Sequence, residues 1–531
     1  MEIRSIQDKA LLLKISDTSI LVECPISMSS LLKSTPISID SHHEPIVYEH
    51  AWISDLDISL IDLVLISNIT TIHALPYLNT KFNGKILMTE PVSTLGASIC
   101  QELLEFDEEY MRTMAGTSNL YSSEDIKGIW KKVIPLSYNQ IYQLRELKIA
   151  AVSSGHSLGG ANWILELGNL TIGIISQSCL DASRYPAAFN QSIFNSNIII
   201  FTPQNTPSTE PFSAKALYNT FIETCRSLAF QSSIVVPIES WQLLDLESHV
   251  LSAGTLFDIP TLCMAPSANA FFSYASGCTE WLSHDLRMKA YIPQNCFMFE
   301  AAKEKGHLAV FHNLKDGFGA KLKSRCILLL SHSSLRLGEA DYVISHLSRK
   351  GFNNVMVLVD GQYRDSALPP FQNAGILQNF DIKSCYLNVG LVLGEIETCL
   401  ENTKADTILI PKSFEGLLNI RKLKYYEDAQ VCTVNASPTL FKIHANCPGE
   451  VCPVVGTLDL KNYKYVASLQ DRIRLIREKL YNRGLESSVK FYQTKCVLYA
   501  PDGEIIFKGK RIIVKANTNE LRKSLYALLN N

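Results

Sequence analysis

Long apolar runs are missing from this chain. No stretch of about 18 consecutive apolar residues occurs in its 531 positions, so no membrane-spanning helix is expected. An excess of one charge is missing too: 49 lysines and arginines stand against 52 aspartates and glutamates. The resulting formal net charge of −3 excludes a global attraction to nucleic acid or an anionic membrane and leaves room only for local basic patches. There is no low-complexity tract and no internal repeat, which excludes a solenoid. Fourteen cysteines follow no repeating framework and read as reduced core residues of an intracellular protein. The nearest pair, Cys447 and Cys452 in CPGEVC, has no matching Cys or His pair nearby, so structural zinc is not expected there. The opening MEIRSIQDKALLLKIS lacks the charged start, apolar middle and small-residue cleavage site of a secretory leader.

What is present is a globular composition, 47% hydrophobic and 19% charged, at a length that calls for two to four domains. ALLLKIS and TSILVEC read as strands split by Asp17, followed by the buried strand LIDLVLISN, the strand KILMTE and a helix over STLGASICQELLEF. WILELGNLTIGIIS reads as two strands joined at Gly168-Asn169. From NIIIFTP onward, short continuous apolar strands (SIVVP, PTLCMAP, RCILLLS, NVMVLVD, KSCYLNV, DTILIP) alternate with helical segments such as SAKALYNTFIETCRSLAF and GEADYVISHLSRK. That alternation predicts a mostly parallel sheet covered on both faces.

A composition break lies at HANCPGEVCPVVG (444–456), and a small module follows. Val466, Leu469, Ile473, Ile476 and Leu480 mark one helix face, with Arg472, Arg474 and Arg477 on its solvent side. Strands SVKFYQTKCVLYA and EIIFKGKRIIV are joined at Pro501-Asp502-Gly503. A last helix capped near Asn517 carries Leu521, Leu525, Leu528 and Leu529. Lys508, Lys510, Arg511 and Lys515 read as a solvated basic strand face, and His42-His43 as part of a Ser/Pro-bounded loop.

The most informative stretch is LISNITTIHALPY (65–77), a buried strand end followed by Ser67 and then Ala74-Leu75-Pro76-Tyr77. It resembles the site of metallo-β-lactamase nucleases of the β-CASP branch, where the strand ends in Ser-His-x-His-x-Asp-His and Ala-Leu-Pro-Tyr follows. Other stretches agree with that family in order: ILVECPIS, SSGHSLGGANWIL, GIISQSCLD, IIIFTPQNTP, APSANAFFSYASGCTEWLS, HSSLRLGEA, CYLNVGLVL and TILIPKSFE. The ordered set is similar to the pseudo-nuclease members of the family found in the Integrator complex. The resemblance implies a metallo-β-lactamase αββα sandwich with an inserted β-CASP α/β domain and a small α+β C-terminal module. The expected edges are 1–200 for the first part of the sandwich, 201–380 for the insertion, 381–443 for the return segment and 456–531 for a dimerisation module.

In the family, imidazoles and carboxylates hold two zinc ions that activate a water for phosphodiester attack. Here Asn68 and Thr70 stand where two histidines belong and Ile72 where the aspartate belongs. His73 stands at the last histidine, in a segment two residues shorter than the catalytic pattern. Glu23 replaces an aspartate, His156 keeps a histidine, Ser178 falls near an aspartate, Pro203 falls near an acidic position, and Val389 and Pro411 lie near the last two histidines. Two imidazoles cannot close a four-coordinate zinc, still less a pair of zincs about 3.5–4 Å apart. The expectation is therefore no metal, no cofactor and no catalysis.

A competing motif is Gly155-His156-Ser157-Leu158-Gly159, which matches the nucleophile elbow of α/β-hydrolases with Ser157 as nucleophile. That chemistry needs a helix after the turn, and ANWILELGNLTIGII reads as strand. The resemblance implies instead a nuclear scaffold subunit. Its implied partner is an active β-CASP nuclease, the eleventh Integrator subunit, held through the C-terminal module by Val466, Leu469, Ile473, Ile476, Leu480, Leu521, Leu525 and Leu528. The implied substrates of the pair are small nuclear RNA precursors and nascent transcripts. The inactive subunit of the mRNA cleavage and polyadenylation machinery is the alternative within the same fold.

Overall fold

The structure is a computed structural model. It describes residues 1–26 and 51–433 apart from positions 55, 115–119, 206–212, 293, 323–324, 336, 361–367, 369–370, 373–374, 388, 402, 421–422 and 429–430, together with four strands between 488 and 516. By contacts, residues 1–167 with 171–435 form one compact unit, and 436–531 belong to another.

Among the described residues the larger unit holds three sheets. The first has the order β20-β1-β2-β3-β4-β5-β6, made of β1 (Glu2–Ile6), β2 (Ala10–Ile15), β3 (Thr18–Val22), β4 (Leu63–Leu65), β5 (Lys85–Thr89), β6 (Val133–Leu136) and β20 (Val431–Thr433). The second has the order β19-β18-β11-β10-β9-β8-β7, with β7 (Ile141–Leu144), β8 (Leu147–Ser153), β9 (Ala161–Leu167), β10 (Leu170–Ile175), β11 (Ile198–Phe201), β18 (Thr407–Pro411) and β19 (Leu423–Tyr426).

Side chains alternate across a strand, so a strand buried on both faces needs two covers. In the first sheet Val64, Ile86 and Met88 pack against Val92, Leu95, Ile99 and Leu103 of helix α1 (Glu90–Met114). Those four residues recur at three- and four-residue spacing along one helix face. The opposite-facing Leu63, Leu65 and Leu87 are equally buried. In the second sheet Ile199, Phe201, Ile408 and Ile410 pack with Ile396 and Leu400 of the helix Leu393–Glu401, while Ile198, Ile200 and Leu409 are buried on the other face. Two sheets, each with a helix outside and a dry inner face, make the expected αββα sandwich.

The third sheet is parallel throughout, in the order β14-β13-β15-β12-β16-β17: β12 (Ile234–Ile238), β13 (Thr261–Met264), β14 (Leu308–Phe311), β15 (Ile327–Ser331), β16 (Asn354–Leu358) and β17 (Phe380–Ser384). One face packs on Val343, Ile344 and Leu347 of the helix Ala340–Arg349, and the other on Leu217 and Phe221 of Ala214–Ser227 and Val250 of Leu243–Leu256. That second face shares one core cluster with α1 and the first sheet, so the inserted layer and the sandwich are held by continuous apolar packing.

Several sequence expectations shift. The 200/201 edge falls inside β11 and the 380/381 edge inside β17, because each strand is paired along its whole length within one sheet. KSCYLNV is strand only in its first residues, since the pairing of β17 with β16 begins at Phe380. The return segment feeds both sandwich sheets: β18 and β19 extend the second, and β20 pairs antiparallel with β1. In the tail, each of the two expected strands is a hairpin. β21 (Ser488–Tyr492), β22 (Lys495–Ala500), β23 (Gly503–Lys508) and β24 (Arg511–Ala516) form a consecutive antiparallel sheet with two residues between partners at every turn. The tail helix faces (Val466 to Leu480 and Leu521 to Leu529) lie outside the described residues, as do His42, His43, Cys447, Cys452 and the basic side chains of 508–515. The eleven cysteines described in the larger unit are free.

Candidate functional site

The family's metal centre would lie where β3, β4, β8 and β10 end and β9 begins. β3 stops at Val22, and Glu23 follows with φ of 70°, held there by Glu23 N donating to Leu65 O (2.9 Å) and Cys24 N to Thr71 O (2.9 Å). This backbone turns a fully buried carboxylate inward. Its Oε1 accepts from Ser176 Oγ (2.7 Å), and its Oε2 from Ser67 N (3.3 Å) and Thr71 Oγ1. Burial raises the Glu23 pKa, and the donated hydrogen bonds pull the other way.

Asn68 is the hub of the next layer. Its Oδ1 accepts from Ser157 Oγ (2.9 Å), and its Nδ2 donates to His156 Nδ1 (2.7 Å). Both bonds agree on one amide orientation, and they leave the proton of the neutral imidazole on Nε2. The His156 ring stacks on Trp241 at 5.3 Å. Burial, and then the nearby Arg184 charge, lower the His156 pKa to about 3. An imidazole with a lowered folded-state pKa contributes its stability above the unfolded value of 6.5 and loses it as pH falls toward 3. Between pH 7 and pH 5 that share is about 2 kcal/mol. Buried Glu23 and Glu102, with raised pKa values, oppose it, so the difference between variants isolates it. We expect His156→Gln to lose about 2 kcal/mol less than the parent on acidification, measured by urea unfolding at both pH values. Equal losses would show that His156 is not held neutral.

The remaining motif positions are spent on packing or on each other. Thr70 Oγ1 donates to Gln177 Oε1. Ile72 is fully buried, and a Cβ on Gly96 of α1 would stand 2.5 Å from its Cδ1, so the old carboxylate position is an apolar contact against a helix glycine. Burial lowers the His73 pKa to about 4, and its electrostatic neighbour is His332, itself lowered to about 3 by burial and by His73. Ser178 Oγ lies 3.1 Å from Asn162 Oδ1 and 2.9 Å from Ser176 O. Val389 is buried after β17, and Pro411 ends β18.

A two-zinc centre does not fit this donor set. Zinc requires free lone pairs from deprotonated imidazole, thiolate or carboxylate. His156 Nδ1 is taken by Asn68, both Glu23 oxygens are taken by hydroxyls and an amide, His73 has His332 as its electrostatic neighbour, and Asn, Val, Pro, Ile, Thr and Ser stand at the other positions. The unpaired buried atom in this cluster is Asn162 Nδ2, a hydrogen donor that would repel a cation. Among the described residues no group of three or more His, Cys, Asp or Glu is arranged to hold a metal.

Ser157 does not sit on a nucleophile elbow. Its loop joins antiparallel β8 and β9, with no supporting helix, and its Oγ is buried and donates to an amide, not to an imidazole. The motif's glycines have a backbone cause. Gly155 and Gly159 have φ of 69° and 72°, and a Cβ would collide with Cys179 O at the first and with Pro91 and Thr89 at the second.

Sequence reasoning missed Arg184, Asp245, Trp241 and Glu102. Arg184 Nη2 lies 2.8 Å from both Asp245 oxygens, its Nε is 3.1 Å from Oδ1, and its Nη1 donates to Gly155 O at 2.8 Å. The pair links the loop beneath His156 to the helix Leu243–Leu256 of the inserted layer. No local signal marks a charge pair 61 residues apart.

Residues 12–175 match the family model for the metallo-beta-lactamase superfamily domain. The chain carries a metallo-β-lactamase domain. It is also similar to proteins named Integrator complex subunit 9. The homolog from Nematostella vectensis is 25% identical over 482 residues, 77% of this chain and 71% of that protein. The homolog from Dictyostelium discoideum is 27% identical over 365 residues, 59% of this chain and 50% of that protein. Cleavage and polyadenylation specificity factor subunit 2 from Arabidopsis thaliana is 24% identical over 324 residues, 57% of this chain and 42% of that protein. The matched part is thus 71% of the first relative and half or less of the other two. In this metallo-β-lactamase domain the strand ends that carry metal ligands in the catalytic pattern carry a closed hydrogen-bond network.

Proposed function

We propose that this chain is a non-catalytic subunit of an Integrator-type assembly in the nucleus. There it pairs with an active nuclease of the same fold and positions it to cut nascent transcripts and small nuclear RNA precursors. The observation that carries the reading is the Asn68 side chain, which closes the old centre by bonding His156 and Ser157 at once. A fold kept after its chemistry is closed acts through its surfaces. The similarity to Integrator complex subunit 9 supports the assembly, and the four-stranded tail sheet, whose outer strands are β21 and β24, offers edges for pairing.

The chain purified after co-expression with its nuclease partner tests the proposal. Capture of a β-CASP nuclease is expected from the full chain, falling to background when 456–531 are deleted, and the full chain alone shows no divalent-metal-dependent cleavage of RNA. Cleavage by the isolated chain that disappears in His156→Ala would reject the reading. The identity of the co-purifying nuclease separates an Integrator assembly from the polyadenylation machinery, which the shorter match to subunit 2 of that factor keeps as the second reading.

A further inference from the structure

Strands β12, β15, β16 and β17 run parallel, so the described residues leading into them, 224–233, 317–322 and 325–326, 345–353, and 371–372 and 375–379, arrive at one edge of the third sheet. In a chain whose acids outnumber its bases, these segments contain no aspartate or glutamate. They contain Arg226, Lys321, Arg325, Arg349 and Lys350. The same edge beyond them is mixed, with Asp258 ahead of β13 and Glu304 ahead of β14. Arg226, Lys321, Arg349 and Lys350 are exposed, and none makes an ion pair among the described residues.

Two large apolar side chains stand in this basic field. Phe230 is 78% exposed and Phe352 is 37% exposed. Both line one cavity of about 340 Å³, together with Lys350, Gln231 and Asn354. Asn354 is engaged internally, its Oδ1 accepting from Ser233 N (2.9 Å) and its Nδ2 donating to Phe352 O (3.0 Å), so it holds the Phe352 backbone in place. Gly351, with φ of 71°, turns the chain between Lys350 and Phe352 and leaves no side chain between the charge and the ring.

A cavity lined by two exposed aromatic rings and Lys350, with the exposed Arg349 next to it in sequence, suits a ligand with flat faces and a negatively charged backbone. We propose that this half of the sheet edge binds single-stranded RNA, with a base stacked at Phe230 and Phe352 and flanking phosphates against Lys350 and Arg349. Stacking on an aromatic face tolerates any base, and phosphate contacts make affinity fall with salt. An acidic peptide shares the charge but has no use for the two rings. The inference goes beyond the pairing proposed above and does not require it.

The test is fluorescence anisotropy of a labelled oligouridylate with the full chain across a potassium chloride series. Saturable binding that weakens with salt is expected. Phe230→Ala with Phe352→Ala should weaken it about tenfold or more with the salt slope kept. Arg349→Glu with Lys350→Glu should weaken it and flatten the slope. Thermal melts of both variants should match the parent, because all four side chains are exposed. Absence of saturable binding, affinity unchanged in either double variant, or tighter binding of an oligoglutamate than of the oligouridylate overturns the assignment.

Discussion

Replacing Arg184 with methionine lowers the unfolding free energy by about 3–5 kcal/mol. The guanidinium and the Asp245 carboxylate are 1% and 3% exposed, so the variant strands a buried carboxylate that nothing else in the site neutralises, and it also frees Gly155 O. The cost arises mainly from the abandoned partner, so Arg184→Met with Asp245→Leu should recover much of the loss. Urea unfolding followed by tryptophan fluorescence and by circular dichroism measures both. A single variant within about 1 kcal/mol of the parent would mean that the pair is solvated in solution.

Removal of the Glu102 carboxylate, as in Glu102→Ala, is expected to cost about 3 kcal/mol. Glu102 lies on α1, on the sandwich side, yet its partners sit at the carboxyl ends of three neighbouring strands of the inserted sheet. Ser240 Oγ follows β12 (2.8 and 2.9 Å to the two oxygens), Ser267 N follows β13 (3.0 Å), and Ser331 Oγ ends β15 (2.9 Å). Carboxyl ends of parallel strands are where open α/β sheets receive ligands, and here a side chain of the neighbouring layer fills that place. Losing it leaves buried donors unsatisfied, at roughly 1–3 kcal/mol for each one that water cannot reach. Glu102→Gln should cost less than the alanine, because its remaining carbonyl oxygen still accepts from serines while its amide faces a donor. The alanine and glutamine variants, compared by chemical unfolding, give the order. A glutamine variant less stable than alanine would remove the serine network from the account.

The two layers meet through groups that no local pattern announces. Strands such as SIVVP and NVMVLVD were legible because buried parallel strands are continuous apolar runs, and the hairpin at Gly168-Asn169 because a two-residue Gly-Asn link joins two apolar runs. The strand β14 (LAVF), the edge strands β19 and β20 and the full length of α1 were not. Edge strands carry mixed side chains, and the acidic run Asp107-Glu108-Glu109 follows the apolar segment from which the helix was read, while α1 continues to Met114. That most positions of the family's ligand pattern hold other residue types here was legible. The bonding among these positions was not: Asn68 reaches partners 88 and 89 residues away, and a single sequence carries no sign of those contacts.

By itself, then, the sequence determined the layered α/β class, the family pattern and the loss of imidazole and carboxylate donors, because periodicity, turn residues and ligand identity are local properties written in order along the chain. Only the tertiary structure decided that Asn68 bonds His156 and Ser157 together, that Arg184 and Glu102 tie the layers together, and that Phe230 and Phe352 open onto one basic edge. Those facts depend on which distant side chains share a dielectric environment and a hydrogen bond, and that is settled only when the chain has closed on itself.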